Sequence, residues 1–236
     1  MKKRQVIGLV VAGLLAGFVS HAVAQSATAY SSTAVGVIKK TLPARGYAFI
    51  SFPLDSSKNV ETIFSETPLM DLPVGSTVSL FDVTNQVWET VKKAAANRGG
   101  WGDLSNRVIQ VQQPIFVFNY GSTPYNAIFA GEVPTNDSYP VAFPSKSFQT
   151  FGNPYPVQLT WGQTVIASNA AVGSSAMIWD VENQRWVNGT KASAARGGWN
   201  DFANQVILPG EGVFFKEYAT SGWIWDVEKP YVWPAE

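Results

Sequence analysis

The chain reads as an all-β protein of two tandem homologous repeats, sandwich or barrel-like, of about 95–100 residues each behind a signal peptide. Three observations predict this. Apolar runs of about four to eight residues, bounded by Gly, Pro, Asn and Asp, recur along the chain, and nothing beyond one or two turns has a helical period. FDVTNQVW (Phe81 to Trp88) can be set over WDVENQRW (Trp179 to Trp186), and the runs continue in register through Ile109 and Ile207. About 16 of 29 positions agree at a spacing of about 98 residues, too long for a solenoid unit and suited to a duplicated small domain. The third observation is the start of the chain: Met-Lys-Lys-Arg, then the apolar run VIGLVVAGLLAGFV, then Ala22-Val23-Ala24.

That start fits a secretory signal peptide over residues 1–24, cut after Ala24. The apolar run is short for a span, which needs roughly 20 residues. A flexible mature N-terminus is expected over 25–34, repeat 1 over 35–135 and repeat 2 over 136–236. The expected localisation is export, to the extracellular space, cell surface or periplasm. The last residues, EKPYVWPAE, carry no hydrophobic tail and no terminal aromatic, which argues against surface sorting and an outer-membrane barrel.

In repeat 1 the strands read as Tyr47–Phe52, Thr77–Phe81, Val87–Val91, Arg107–Val111, Ile115–Asn119 and Tyr125–Glu132. Repeat 2 gives Ala176–Trp179, Arg185–Val187, Gln205–Leu208, Val213–Glu217 and Gly222–Val227. Asn59–Ser65 reads as a helical turn or two. Upstream, AFISFPL (Ala48 to Leu54) is set against NPYPVQL (Asn153 to Leu159); downstream, IFAGEVP (Ile128 to Pro134) against IWDVEKP (Ile224 to Pro230). In Asp82-Val83-Thr84-Asn85-Gln86 the Asp is expected to bond the amides ahead of it, and the Asn to take a left-handed conformation.

Composition excludes several chemistries. The single His, His21, lies in the signal peptide and there is no Cys, so the mature chain has no imidazole or thiol for Ser-His-Asp or Cys-His catalysis. Common zinc sites and a disulfide framework go with them. The chain has 17 basic and 17 acidic residues; without Lys2, Lys3 and Arg4 the basic total falls to about 14, with no basic stripe for nucleic acid. No cofactor, no metal and no membrane span in the mature chain are expected.

These residues resemble a group of secreted bacterial repeat proteins whose units carry a Val-Gly strand and then "NLIGNPL", "YKWD", "PGEGFFV" and "FVGEV"-like strands. The matching residues are Val35-Gly36-Val37, Ser51-Phe52-Pro53-Leu54, Leu80-Phe81-Asp82, Gly100-Trp101 and Phe129-Ala130-Gly131-Glu132-Val133. In repeat 2 they are Gly152-Asn153-Pro154-Tyr155-Pro156, Ile178-Trp179-Asp180, Gly198-Trp199 and Pro209-Gly210-Glu211-Gly212-Val213-Phe214-Phe215. Repeat 1 lacks the Gly-Asn-Pro and Pro-Gly-Glu-Gly pieces. The resemblance implies an extracellular all-β module with no established chemistry and no catalytic residues to carry over.

The candidate ligand-binding residues cluster in a repeated string, RGGWGDLSNRVI at 98–109 and RGGWNDFANQVI at 196–207. Trp101 and Trp199 follow Gly-Gly and are expected to be partly exposed rings able to stack on sugars, with Asp103, Asp201, Arg98 and Arg196 beside them. Trp88, Trp179 and Trp186 are expected in the cores. Trp223, Trp225 and Trp233 would close the second core or seat repeat 2 on repeat 1. Asp82/Asp180, Asp103/Asp201 and Glu132/Glu228 recur, but an acid–base pair needs two unlike environments in one cleft. Asp82 with Asn85 and Asp103 with Asn106 offer too few oxygens for calcium.

The leading expectation is a secreted non-enzymatic β-repeat protein of the cell envelope or extracellular matrix, acting by adhesion or self-association. Its partner would be a glycan, another cell-surface protein or a second copy. The alternatives are a carbohydrate-binding module with Trp platforms and a histidine-free glycoside hydrolase.

Overall fold

The computed structural model describes residues 34–54 and 61–232. The expected signal peptide and mature N-terminus, and Trp233, lie outside the described residues. The described chain is all-β: six small antiparallel sheets and almost no helix. Among the described residues no helix is long and apolar enough to cross a membrane.

The strands are β1 (Val35–Leu42), β2 (Tyr47–Ile50), β3 (Glu61–Ile63), β4 (Thr77–Asp82), β5 (Val87–Lys92), β6 (Val108–Gln110), β7 (Ile115–Phe118) and β8 (Tyr125–Glu132). They continue as β9 (Ser138–Phe143), β10 (Phe148–Gly152), β11 (Leu159–Thr160), β12 (Ser175–Asp180), β13 (Arg185–Thr190), β14 (Val206–Ile207), β15 (Gly212–Lys216) and β16 (Trp223–Glu228). The ladders of β1–β8 and those of β9–β16 follow one order in both sets, and an isolated bridge, Ile50 to Glu211, crosses between them. The four-stranded sheets are β2-β7-β4-β5 and β10-β15-β12-β13; the ribbons are β3-β6, β1-β8, β11-β14 and β9-β16. We call these sets the first and second modules.

Each module has its own core. In the first, Ile50, Leu80, Val117 and Ile115 point from the sheet onto Phe64, Leu69, Trp101 and Leu104. In the second, Phe151, Ile178, Val213 and Phe215 meet Trp161, Ile166, Trp199 and Phe202. Alternation along β8 and β16 buries Ala127, Phe129, Trp225 and Val227 and turns the residues between them outward. Trp225 lies in the second core and Trp223 packs on it, stacking on Phe143 at 4.4 Å. This is the first of the two roles expected for these rings.

Between the cores lies a layer of aromatic rings that periodicity did not announce. The outer faces of the two four-stranded sheets meet through Phe81–Phe214 (5.1 Å), Phe116–Trp179 (5.0 Å), Phe49–Trp186 (5.6 Å) and Phe116–Trp186, stacked at 5.6 Å. Trp88, Trp179 and Trp186 were expected inside the module cores. They stand instead on the opposite sheet face, only partly buried, with Trp88 at 36% exposure. The cause is strand alternation: Leu80 and Ile178 take the core face, so the cross-strand pairs Phe81↔Trp88 and Trp179↔Trp186 take the other.

Ladder register corrects both flanking alignments. Tyr47 and Phe148 occupy the same ladder place, opposite Phe118 and Lys216, so Ala48 matches Gln149 rather than Asn153. The turn before each strand agrees, with Arg45 and Lys146 both at positive φ (50° and 48°). Downstream, Tyr125 opposite Leu42 matches Trp223 opposite Phe143, so Phe129 answers to Val227, not Trp225. Of the turn expected over Asn59–Ser65, Glu61–Ile63 is strand, and a 3₁₀ turn follows over Phe64–Glu66.

Candidate functional site

The repeated Arg-Gly-Gly-Trp string forms a tight corner in each module. A 3₁₀ turn over Ala96–Arg98 ends on Gly99 (φ 93°), Gly100 follows at φ 57°, and a second 3₁₀ turn begins after Trp101. Gly197 (φ 88°) and Gly198 (φ 59°) repeat this, with Asn200 at φ 49° where Gly102 stands at 57°. An L-residue in this region costs about 1–2 kcal/mol, which accounts for the glycine pair. A side-chain atom at Gly99 or Gly100 would meet nothing within 4 Å, so backbone conformation and not crowding sets the requirement.

The two Trp rings turn inward, which corrects the expectation of exposed stacking faces. Trp101 is 1% exposed and Trp199 6%. Trp101 meets Phe64 edge-on at 5.3 Å; Trp199 meets Trp161 at 5.0 Å and donates its indole N–H to Ala167 O at 2.8 Å. The following 3₁₀ turn drives Leu104 or Phe202 into the same core, so closing the corner requires the ring to be inside. Neither ring presents a face to a sugar.

Arg98, Asp103, Arg196 and Asp201 are exposed on these corners. The carboxylates make no ion pair with the arginines, and the corners are held by backbone bonds such as Ala94 N–H to Gly100 O (2.7 Å) and Ala192 N–H to Gly198 O (2.7 Å). The structure thus brings the six candidates to two equivalent corners but separates them by side: rings in, charges out.

The recurring Asp-x-x-Asn-Gln turn has a defined task. Asp82 accepts from Thr84 N–H, Asn85 N–H and Asn85 Nδ2, and Asp180 accepts from Glu182 N–H, Asn183 N–H and Asn183 Nδ2. In both turns the bonds from the Asn hold the carboxyl below its ordinary range, its backbone N–H leading at Asp82 and its side-chain amide at Asp180. Among the described residues no group of three or more His, Cys, Asp or Glu is placed to hold a metal ion. The left-handed residue is the next one: Gln86 (φ 57°) and Gln184 (φ 50°), not the Asn.

Those two glutamines, identical in both modules, join the modules and are passed over when the chain is read by residue type. Gln86 bonds both backbone groups of Phe148, at 2.7 and 3.0 Å, and Gln184 both backbone groups of Tyr47, at 2.6 and 3.0 Å. Each module therefore caps the first residue of the other's edge strand. A second reciprocal pair lies nearby: Ser51 N–H donates to Gly210 O at 3.1 Å and Gly152 N–H to Gln112 O at 2.8 Å. Lys93 and Lys191 are also shared. Lys93 donates to Met70 O and Leu72 O, and Lys191 to Ser168 O and Ala170 O, capping the helical turn beneath each Trp.

Concave sites remain. A cleft of about 410 Å³ in the first module is lined by Leu54, Thr62, Glu66, Asp71 and Phe129; its counterpart in the second, about 630 Å³, is lined by Tyr155, Gln163, Asp226 and Glu228. A larger groove of about 1000 Å³ runs beside Trp179, Glu182, Val206 and Glu211, with Thr41 and Pro43 on its far wall. Asp226 and Glu228 share one exposed face of β16. In the second module Glu217 is buried at 1% exposure. Burial pushes its carboxyl up, but donors from Ala219 N–H, Ser174 Oγ, Trp223 Nε1 and Tyr218 N–H outweigh that and hold it low. With its oxygens occupied by these donors, it ties the end of β15 to its neighbours, at the edge of a small cavity of about 250 Å³ that it lines with Lys146, Lys216 and Tyr218. Comparison with known proteins finds no matching family model, no matching curated protein and no matching solved structure.

Proposed function

We propose that this is an exported, non-enzymatic protein of two duplicated, barrel-like β modules that works in the cell envelope or extracellular matrix by self-association or adhesion. One observation carries the reading. The recurring Trp101 and Trp199 rings are buried in the cores and Asp82 and Asp180 are taken up by their own turns, while large apolar side chains stand exposed on the ribbons: Val35 at 71%, Val37 at 66%, Ile128 at 56% and Ile224 at 63%. Outward apolar faces on ribbons with unpaired edges are the feature that association uses and that a solitary protein conceals. The shared strand order, the two cores and the reciprocal glutamine caps support duplication, and the resemblance to secreted bacterial repeat proteins agrees with it. Sedimentation velocity across a concentration series tests this: association that grows with concentration is expected, and a monomer throughout would refute self-association.

A second reading, glycan binding, now rests on the groove beside Trp179 rather than on the Arg-Gly-Gly-Trp corners. Glycan-array binding lost in Trp179→Ala and kept in Arg98→Ala and Arg196→Ala would favour it.

A further inference from the structure

The module boundary is close to two-fold symmetric, because its main contacts come in pairs in which the modules trade places. Ladder position equates Phe116 with Phe214, Phe81 with Trp179 and Trp88 with Trp186. Phe116 meets Trp179 at 5.0 Å, and Phe214 meets Phe81 at 5.1 Å. Phe116 meets Trp186 at 5.6 Å, and Phe214 meets Trp88 at 5.5 Å. The glutamine caps and the bonds from Ser51 N–H and Gly152 N–H trade places in the same way. A contact of this kind is isologous: between identical modules, each face would fit itself.

Three places break the symmetry. Ser51 and Gly152 hold equivalent ladder positions and face each other, and a Cβ added at Gly152 would overlap the Ser51 Cβ. Pro114 and Gly212 are equivalent as well, and a Cβ at Gly212 would lie 2.5 Å from the Pro114 Cβ. The third is an ion pair. Lys40 reaches Glu211 across the boundary at 3.9 Å with both side chains largely buried, whereas the equivalent positions hold Val141 and Gln113.

We infer that the outer sheet face of the first module is a docking surface for one partner, the outer sheet face of a second module, from its own chain or from another copy. Like faces do not suit one another. Two first-module faces would set Ser51 on Ser51 and Pro114 on Pro114, and would leave Lys40 buried without a carboxylate. Two second-module faces would leave gaps at the glycines and bury Glu211 beside Val141. Only the unlike pair fills the space and matches the charge. Residues 133–137 alone connect β8 to β9, so two copies that exchange second modules keep every boundary contact and close as a pair. The inference goes beyond the ribbon contact proposed above and does not depend on it. Exchange requires the aromatic layer to part, so it is reached by unfolding and refolding and not during sedimentation of the native chain.

The test uses two full-length variants. Gly152→Ser gives the second module the first module's residue, and Ser51→Gly makes the opposite change. Each is unfolded in urea and refolded, alone and as an equimolar mixture, and the products are read by native mass spectrometry. Alone, Gly152→Ser opposes Ser to Ser and is expected to lose about tenfold in its folding equilibrium constant, with Ser51→Gly losing less. In the mixture, exchange sets a glycine opposite each remaining serine, so a two-chain species with one copy of each variant is expected to exceed either homodimer. If Gly152→Ser does not refold alone, its rescue in that species reads the same choice. Ser51→Gly/Gly152→Ser in one chain is expected to recover most of the wild-type urea midpoint. A mixture that refolds only as its components do alone overturns docking between copies. A reversed pair no more stable than Gly152→Ser overturns the two-fold fit that sets the choice of partner.

Discussion

Gln86 holds Phe148 by both backbone groups, accepting its N–H at 2.7 Å and donating to its carbonyl at 3.0 Å, although the two residues belong to different modules. Gln184 does the same to Tyr47 in the opposite direction. A left-handed backbone at each glutamine aims the side chain across the boundary, where two reciprocal caps and the aromatic layer join the modules. Gln86→Ala is expected to lower stability by about 1–2 kcal/mol, and Gln86→Ala/Gln184→Ala by about twice that, measured by urea denaturation.

The buried Trp pair predicts unequal effects. Trp101→Ala and Trp199→Ala should each cost about 3–5 kcal/mol by the cavity they leave. Replacement by Phe separates them: Trp199→Phe also removes the bond to Ala167 O, whereas the Trp101 indole N–H has no hydrogen-bond partner. Trp199→Phe is expected to be the worse of the two by about 1 kcal/mol in chemical denaturation.

The corner glycines are expected to tolerate change according to backbone conformation. Gly100→Ala should cost about 1–2 kcal/mol at φ 57°. Gly102→Asn should be close to neutral in thermal denaturation, because Asn200 already adopts φ 49° in the equivalent corner.

Glu217 supplies a pH dependence. Its folded carboxyl lies below the ordinary glutamate range, so its contribution is fully present above the unfolded pKa, about 4.3, and is lost as pH falls through the lower folded value. Glu217→Gln is expected to lower the melting temperature at neutral pH and to flatten its fall below about pH 4.3. An unchanged acid limb in Glu217→Gln would remove Glu217 from the account.

The strand set from Thr77 to Phe118 and its partner were legible because turns with Asp, Asn and Gly fall at identical places in both repeats. The flanks were not. Strand alternation has a period of two and fixes no absolute register, and the positive-φ positions of the two turns, Arg45 and Lys146, are not themselves glycines. The aromatic layer left a trace that was readable but ambiguous. Tyr47-Ala48-Phe49-Ile50 and Ile115-Phe116-Val117-Phe118 are continuous apolar runs rather than alternating ones, the pattern of strands covered on both faces. The glutamine caps left no trace, since a residue's reach across a boundary depends on where the second module sits. The Trp exposure failed for a related reason: Gly-Gly-Trp reads as a loop, and only the following 3₁₀ turn shows that the loop folds inward.

On the function proposed above, the recurring strings build the interior and the outward ribbons carry the association. Sedimentation velocity of Val37→Asp/Ile224→Asp beside wild type tests this most directly. The substitutions are expected to abolish concentration-dependent association and leave the thermal unfolding curve in place, because both side chains are more than three-fifths exposed, at 66% and 63%. Association that persists unchanged in the folded double variant would contradict it.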